Sequence, residues 1–381
     1  MVVLAILLPI LFGLLLLLGL PRALGVLGAG LSFLLNLYLF LTHPGGVAHG
    51  VQAPLLPGAG VYWAFGLDGL SALFFLTIGL TVFLGALVAK VEGRFLGLAL
   101  LMSGLLLGLF AARDLLVFYL FFEAALIPAL LMLFFYGGEG RIRAIYTFLL
   151  FTLAGSLPML AAILAVKALG GSPTFLLEDL LAHPVKGGAA LWIFLGFALA
   201  FAVKTPLFPV HAWLPLFHQE NHPSGLADAL GTLYKVGVFA FFRFAIPLAP
   251  EGFAELQGLL LFLAAISALY GAWVAFSAKD FKTLLAYAGE DPHEDQSGHR
   301  QEGERPFRPL EVLRSPLAFL PEDLLEGGEG VGGSGDHREE GDGGEPGAGL
   351  VGAQEGHKLP GEAGKPGKPH HGQEEEEGQG A

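Results

Sequence analysis

Apolar residues in this chain do not alternate with polar ones; they run in blocks of about twenty, cut by short polar or Pro/Gly breaks. Nine blocks are complete, at 2–20, 23–42, 67–89, 95–112, 115–136, 144–169, 189–210, 225–248 and 253–277, and a tenth begins at 281–288 and stops. An α-helix needs roughly 20 apolar residues to cross the hydrocarbon of a bilayer. Lipid offers the backbone no hydrogen-bond partner, so a spanning segment must pair its own N–H and C=O groups. Without the alternation of a barrel strand, the pattern predicts an all-α polytopic membrane bundle of nine or ten helices in contact with the lipid bilayer. The first block lacks the basic flank and short apolar core of a cleaved leader, so it is expected to stay as the first spanning helix.

Charge divides the chain in two. Residues 1–289 carry 13 Lys+Arg and 12 Asp+Glu, whereas residues 290–381 carry 8 and 22, so the net charge of −13 is a property of the tail. That tail is rich in Gly, Glu, Pro and His and too poor in apolar residues to offset its chain entropy, so a disordered tail over 289–381 is expected. The change of regime falls inside a block that has just started. There is no cysteine, which excludes disulfides, thiolate zinc and iron–sulfur ligation by this chain. No dinucleotide or phosphate loop follows a strand, and nothing points to nucleic acid.

Basic residues in the connections bear on orientation. Odd-numbered loops carry Arg22, Lys90, Arg94, Arg141, Arg143, Lys279 and Lys282, and even-numbered loops Arg113, Lys167, Lys186 and Arg243. The excess predicts odd loops in the cytoplasm and an N-terminus on the periplasmic side.

The candidate chemistry lies in ionisable groups inside the apolar blocks. Glu123 stands in LLVFYLFFEAALIPALLMLFF, and Lys204 in LGFALAFAVKTPLFPVHAWLP. A charge in hydrocarbon is expensive, so each must face a polar interior, and such residues commonly mark ion or proton pathways. The plainer readings are a structural carboxylate bonded to a neighbouring helix and a lysine that snorkels from a proline kink. Pro206 and Pro209 each remove a helical hydrogen bond, which predicts a helix break after Lys204. An interrupted helix beside an ionisable group is a recurring transporter device. Asp228 and Lys235 lie seven residues apart, two helical turns, and so share a face. His211, His218 and His222 punctuate the connection before them; histidine suits a proton shuttle, although loop histidines are often merely solvated. Their spacing does not match an H-E-x-x-H zinc site, so no metal is expected.

Three stretches carry a resemblance: FFEAALIPALLML, then KTPLFPVHAWLPLFHQENHPSGLADALGTLYKVGVF, then AKDFKTLLAYA. Over 1–288 the chain resembles the antiporter-like membrane subunits of respiratory NADH–quinone oxidoreductase (complex I), kin to subunits of multi-component cation/proton antiporters, and most of all chain M of the bacterial enzyme. The resemblance implies a bacterial inner-membrane, multi-pass subunit among the other membrane subunits of that complex. Flavin, iron–sulfur clusters and quinone would then reside on other subunits, with no cofactor and no catalytic redox residue here. It implies a coupled pair at Glu123 and Lys204, a central relay at Lys235, and a final ionisable residue on a twelfth helix; His211, His218 and Asp228 join them as relay candidates on the residue reading alone. The family fold has fourteen helices with two inverted five-helix repeats. By that comparison 1–94 holds the N-terminal helices, 95–248 the first repeat, 249–288 an incomplete start of the second, and 289–381 the unrelated tail. Read backwards from Gly372 to Lys358 as antisense codons, the tail permits A-M-V-G-L-P-G-L-S-G-F-P-G-E-F, like the family's twelfth-helix motif. The tail is therefore read as the antisense translation of an inverted gene segment, with Leu359 opposite the missing glutamate. On that reading the function is proton translocation coupled to quinone reduction, impaired in this truncated form. The alternatives are a subunit of a cation/proton antiporter and an inactive assembly protein.

Overall fold

The computed structural model of the chain describes residues 1–230 and 233–277, and of residues 229 and 233–235 the backbone alone. The tenth block, the acidic tail and the side chain of Lys235 therefore lie outside the described residues. The described chain is a bundle of apolar helices, as the block pattern predicts. Helix α1 is Val2–Leu17, α2 Arg22–Leu41, α3 Gly69–Val88, α4 Gly93–Ala111, α5 Leu115–Ala124, α6 Leu126–Tyr136 and α7 Arg141–Gly170. After a short helix α8 (Leu177–Ala182) come α9 (Gly188–Lys204), α10 (Trp213–Glu220), α11 (Leu226–Ala229), α12 (Leu233–Ala240), a π-helical turn Phe241–Ala245, α13 (Ile246–Leu248) and α14 (Pro250–Ser277). Among the described residues six segments are long and apolar enough to span a membrane, one being the α5–α6 pair. Three shorter apolar helices, Val2–Leu17, Gly188–Lys204 and Val236–Leu248, join them.

Helix α4 is the centre of the bundle, buried on almost every side. It approaches α1 at a pair of glycines: a Cβ on Gly13 would stand 2.7 Å from the Gly97 oxygen, and one on Gly97 would stand 2.9 Å from the Gly13 oxygen. In lipid there is little hydrophobic drive between apolar helices, so such backbone approach supplies the packing. Outward-facing side chains such as Leu4, Leu11, Leu34 and Leu84 are large and exposed, as a lipid-facing surface requires.

Besides the short helices α8 and α10, a pair of strands was not visible in the blocks. The connection between α2 and α3 contains an antiparallel hairpin, β1 Ala48–Leu56 with β2 Val61–Leu67, in register Val51 with Phe65 and Ala53 with Trp63. Its sequence, AHGVQAPLL, is broken by Gly and Pro and does not alternate, so it reads as a loop. Its strand β2 is fixed by a helix cap. Asp114, buried at the start of α5, accepts hydrogen bonds from Leu116 N (3.0 Å) and Val117 N (3.2 Å) on its own helix and from Tyr62 N (2.8 Å) on β2. Asp68 caps α3 in the same way through Ser71 N at 2.9 Å. Arg22 closes the opposite end of α3, donating to the carbonyls of Ala86 (2.7 Å) and Ala89 (2.8 Å).

Candidate functional site: an interrupted helix beside a buried lysine

Two proline-bearing segments build the site. Pro128 lacks the N–H that would bond the carbonyl of Ala124, and α5 ends there, with α6 resuming at Leu126. Glu123 sits in the last turn of α5, and its Oε1 is buried with no hydrogen-bond partner. Tyr119, one turn earlier, lies within the field of Glu123 and beside Ser156 of α7.

Helix α9 ends at Lys204 itself. The side chain is fully enclosed, with 2% of the residue exposed. Its ammonium lies 4.7 Å from the ring centroid of Phe122 and 5.8 Å from that of Phe148. Aromatic faces attract a cation most strongly where water is excluded. Phe122 immediately precedes Glu123, so one helix offers the lysine both a ring and a carboxylate. Glu123 acts electrostatically on Lys204, yet the two are not joined as an ion pair. Among the described residues the pairs within 4.0 Å are Arg113–Glu178, His218–Asp228 and Arg243–Asp68.

Beyond Lys204 the ladder is interrupted and patched. Thr205 N still bonds Phe201 O at 2.8 Å, whereas Leu207 N reaches one residue further back, to Ala202 O at 2.9 Å. The indole Nε1 of Trp213, the first residue of α10, donates to the Val203 carbonyl at 3.0 Å. Phe208 N donates to Ser267 Oγ of α14 at 2.7 Å. His211 follows, 8% exposed, with Nδ1 buried and unpaired and its ring edge-on to Tyr270 at 5.2 Å. On α10 and α11, His218 Nδ1 and Asp228 Oδ1 are 2.7 Å apart, and Asn221 Nδ2 donates to the same carboxylate oxygen at 2.8 Å. The backbone of α12, which carries Lys235, packs against the end of α9: a Cβ on Gly237 would stand 2.5 Å from the Phe201 oxygen.

The family described as NADH:quinone oxidoreductase/Mrp antiporter matches residues 112–289, which span this whole constellation. NADH-quinone oxidoreductase subunit 13 of Thermus thermophilus is 88% identical over 289 residues, 76% of this chain and 62% of that protein. Subunit M of Escherichia coli K12 is 34% identical over 291 residues, 70% of this chain and 57% of that protein. A chain in the structure of respiratory complex I from Thermus thermophilus with bound NADH superposes with a TM-score of 0.75 at 88% identity, covering 76% of this chain and 62% of that one.

Residues 112–289 match this antiporter-like family.

The chain spans less than two thirds of the length of these relatives. Within the antiporter-like fold the described structure brings Glu123 and Lys204 into one buried region and joins His218 to Asp228, with His211 beyond the break. Sequence reading missed the aromatic lining, because Phe122 and Phe148 sit among 32 phenylalanines with nothing local to distinguish them. It also missed a charged cluster around Arg243. Arg243 lies in the π-helical turn and not in a loop; it pairs with Asp68 and donates to Ser71 Oγ at 3.1 Å. Burial pushes the Asp68 carboxyl up, but the Ser71 N–H and the Arg243 guanidinium outweigh it and hold it below the ordinary carboxylate range. Arg113 pairs with Glu178 on the same open cleft of about 410 Å³. The detectable signal was the acidic N-cap at Asp68, three residues before Ser71, rather than the isolated arginine.

Proposed function

We propose that this chain is a proton-translocating membrane subunit of an NADH–quinone oxidoreductase, with Glu123, Lys204, Lys235, His211, His218 and Asp228 as its relay and no redox chemistry of its own. The observation that carries the reading is the enclosed Lys204 at the end of an interrupted helix, within the field of a carboxylate. A titrating relay needs groups that exchange a proton within hydrogen-bond reach or through water, and the freed backbone of a broken helix is where water finds partners. The family match over residues 112–289 and the 88% identity to a Thermus complex I subunit favour this over a free-standing antiporter. Other membrane subunits of the complex are the partners, and they leave flavin, iron–sulfur clusters and quinone to their neighbours. The N-terminus is assigned to the periplasmic side. With Arg243 neutralised by Asp68 inside the bundle, even-numbered loops are left with Arg113, Lys167 and Lys186, which strengthens the bias on which that orientation rests.

Residues after 289 lie beyond the family match, so the chain as it stands is proposed to couple poorly, its tail being read as inverted sequence. The test uses a strain lacking subunit 13, complemented either by this chain or by its residues 1–288 joined to the remaining length of the Thermus subunit. The chimera is expected to restore quinone-linked proton uptake in inverted vesicles, and Lys204→Ala within it to abolish that uptake. Unaltered uptake in the Lys204→Ala chimera would overturn the relay. Sodium-dependent exchange without quinone-linked uptake would favour the antiporter alternative. Wild-type stoichiometry from the unmodified chain would refute its impairment.

A further inference from the structure

The interrupted segment after Lys204 has an amide that its own helix cannot serve. Between Thr205 and Pro209, the Thr205 and Leu207 amides bond back into α9, and Pro206 and Pro209 carry no N–H. Phe208 N is left, and its partner comes from 59 residues away, the Ser267 hydroxyl on α14. That hydroxyl is set up as an acceptor. Its single proton goes to the Leu263 carbonyl one turn back, at 2.6 Å, which leaves the oxygen lone pairs for an incoming N–H. Tyr270, three residues on and so on the same face of α14, lays its ring against Phe208 (5.8 Å between centroids) and edge-on to His211. Helix α14 is exposed over most of its length; its N-terminal end packs on α9 through Gly252 and Phe253, and Ser267 and Tyr270 form a second contact at the site.

We propose that Ser267 is a positioning residue: its hydroxyl, oriented by its own helix, clamps Phe208 and so fixes the backbone between Lys204 and His211, making α14 the element that sets the geometry of the break. Its importance for transport rests on the relay reading above; the clamp itself does not. The test is hydrogen–deuterium exchange of the full chain in lipid nanodiscs, with fragmentation that resolves the Phe208 amide. Ser267→Ala is expected to raise exchange at Phe208 about fivefold, the factor for loss of a hydrogen bond worth ~1 kcal/mol, while amides in α4 stay unchanged. Ser267→Thr, which keeps a back-bonded hydroxyl, is expected to restore the wild-type rate. Should Ser267→Ala raise exchange throughout the bundle, Ser267→Cys, close in size and a weak acceptor, carries the same expectation. Unchanged exchange at Phe208 on removing the hydroxyl, or a threonine variant as fast as the alanine one, would overturn the proposal. Because exchange is read without proton transport, a failed relay and a failed clamp give different results.

Discussion

Gly237 offers a direct measurement of how tightly the Lys235 helix is held against the end of the Lys204 helix. Replacing it with alanine drives a Cβ into Thr205 Oγ1 and puts it 2.5 Å from Phe201 O and 2.9 Å from Thr205 N. Ordinary carbon contacts lie at 3.5–4.0 Å, so α12 must retreat by about 1 Å. The threonine hydroxyl can rotate away, but two of the three obstacles are backbone. Overpacking of this kind costs roughly 1–3 kcal/mol, against which alanine gains up to about 1 kcal/mol of helix propensity over glycine. Gly258 on α14 supplies the control, since a Cβ there meets nothing within 4 Å and Gly258→Ala keeps the propensity gain alone. The difference between the two variants therefore isolates the steric term. At roughly 2 °C per kcal/mol for a chain of this size, we expect Gly258→Ala to melt about 2 °C above the parent and Gly237→Ala to melt below it. Thermal unfolding of the full chain in detergent, followed by circular dichroism, measures both. Adding Thr205→Ala to Gly237→Ala should recover only part of the loss, because the backbone contacts remain. Equal melting temperatures for the two glycine variants would show that α12 is not seated against α9 as described.

Three further outcomes are expected. Glu123→Gln in the chimera should reduce quinone-linked proton uptake at least tenfold while NADH oxidation by solubilised complex stays near the parent rate; undiminished uptake would remove Glu123 from the relay. Trp213→Phe loses the indole bond to the Val203 carbonyl and should destabilise the chain by roughly 1–2 kcal/mol, seen as a lower urea midpoint, with Trp192→Phe on the exposed surface as a neutral comparison. Asp68→Asn should lower the melting temperature by roughly 2–4 °C at pH 6. A carboxyl held below its ordinary range contributes stability that is present above that range and lost as pH falls through the folded-state value, so the gap between the parent and the Asp68→Asn variant should close as pH falls below the ordinary carboxylate range; a gap independent of pH would show that the ion pair with Arg243 is not its cause.

The parts of this architecture legible in the sequence are those set by the solvent. Lipid requires long apolar helices and penalises buried charge, so hydropathy alone located the helices and singled out Glu123 and Lys204. Proline chemistry is equally local, and α9 ends at Lys204 with Pro206 two residues on. What the sequence did not disclose depends on which helices become neighbours. Nothing near Phe148 says that it lines Lys204, and nothing near Ser267 says that it serves an amide 59 residues back. Arg243 reads as a loop charge because an apolar block predicts its own ends poorly, and the partners that make a mostly buried arginine tolerable there, Asp68 and Ser71, come from the start of α3. The hairpin was invisible because Gly and Pro break its first strand, and the contact that fixes the second, Asp114 with Tyr62, spans 52 residues.

The separation between Glu123 and Lys204 bears on what such a pair can do. At an effective dielectric of about 20, opposite unit charges 4 Å apart attract by roughly 4 kcal/mol, and this pair stands beyond that distance. Removing each ion from water costs several kcal/mol, so attraction at this range does not by itself offset the burial of both. The rings of Phe122 and Phe148 contribute on the order of 2 kcal/mol more to the ammonium. An aromatic face cannot take its proton, so this contribution holds the cation without discharging it. A direct salt bridge would lock both charges in place, and an unpaired lysine would be driven from the site. The observed arrangement does neither: the carboxylate attracts the ammonium from beyond ion-pair distance and the rings add to that attraction, a balance in which the lysine is held without a direct partner. On the proposed reading, that balance is why the lysine is lined by phenylalanine and the carboxylate stands one step away.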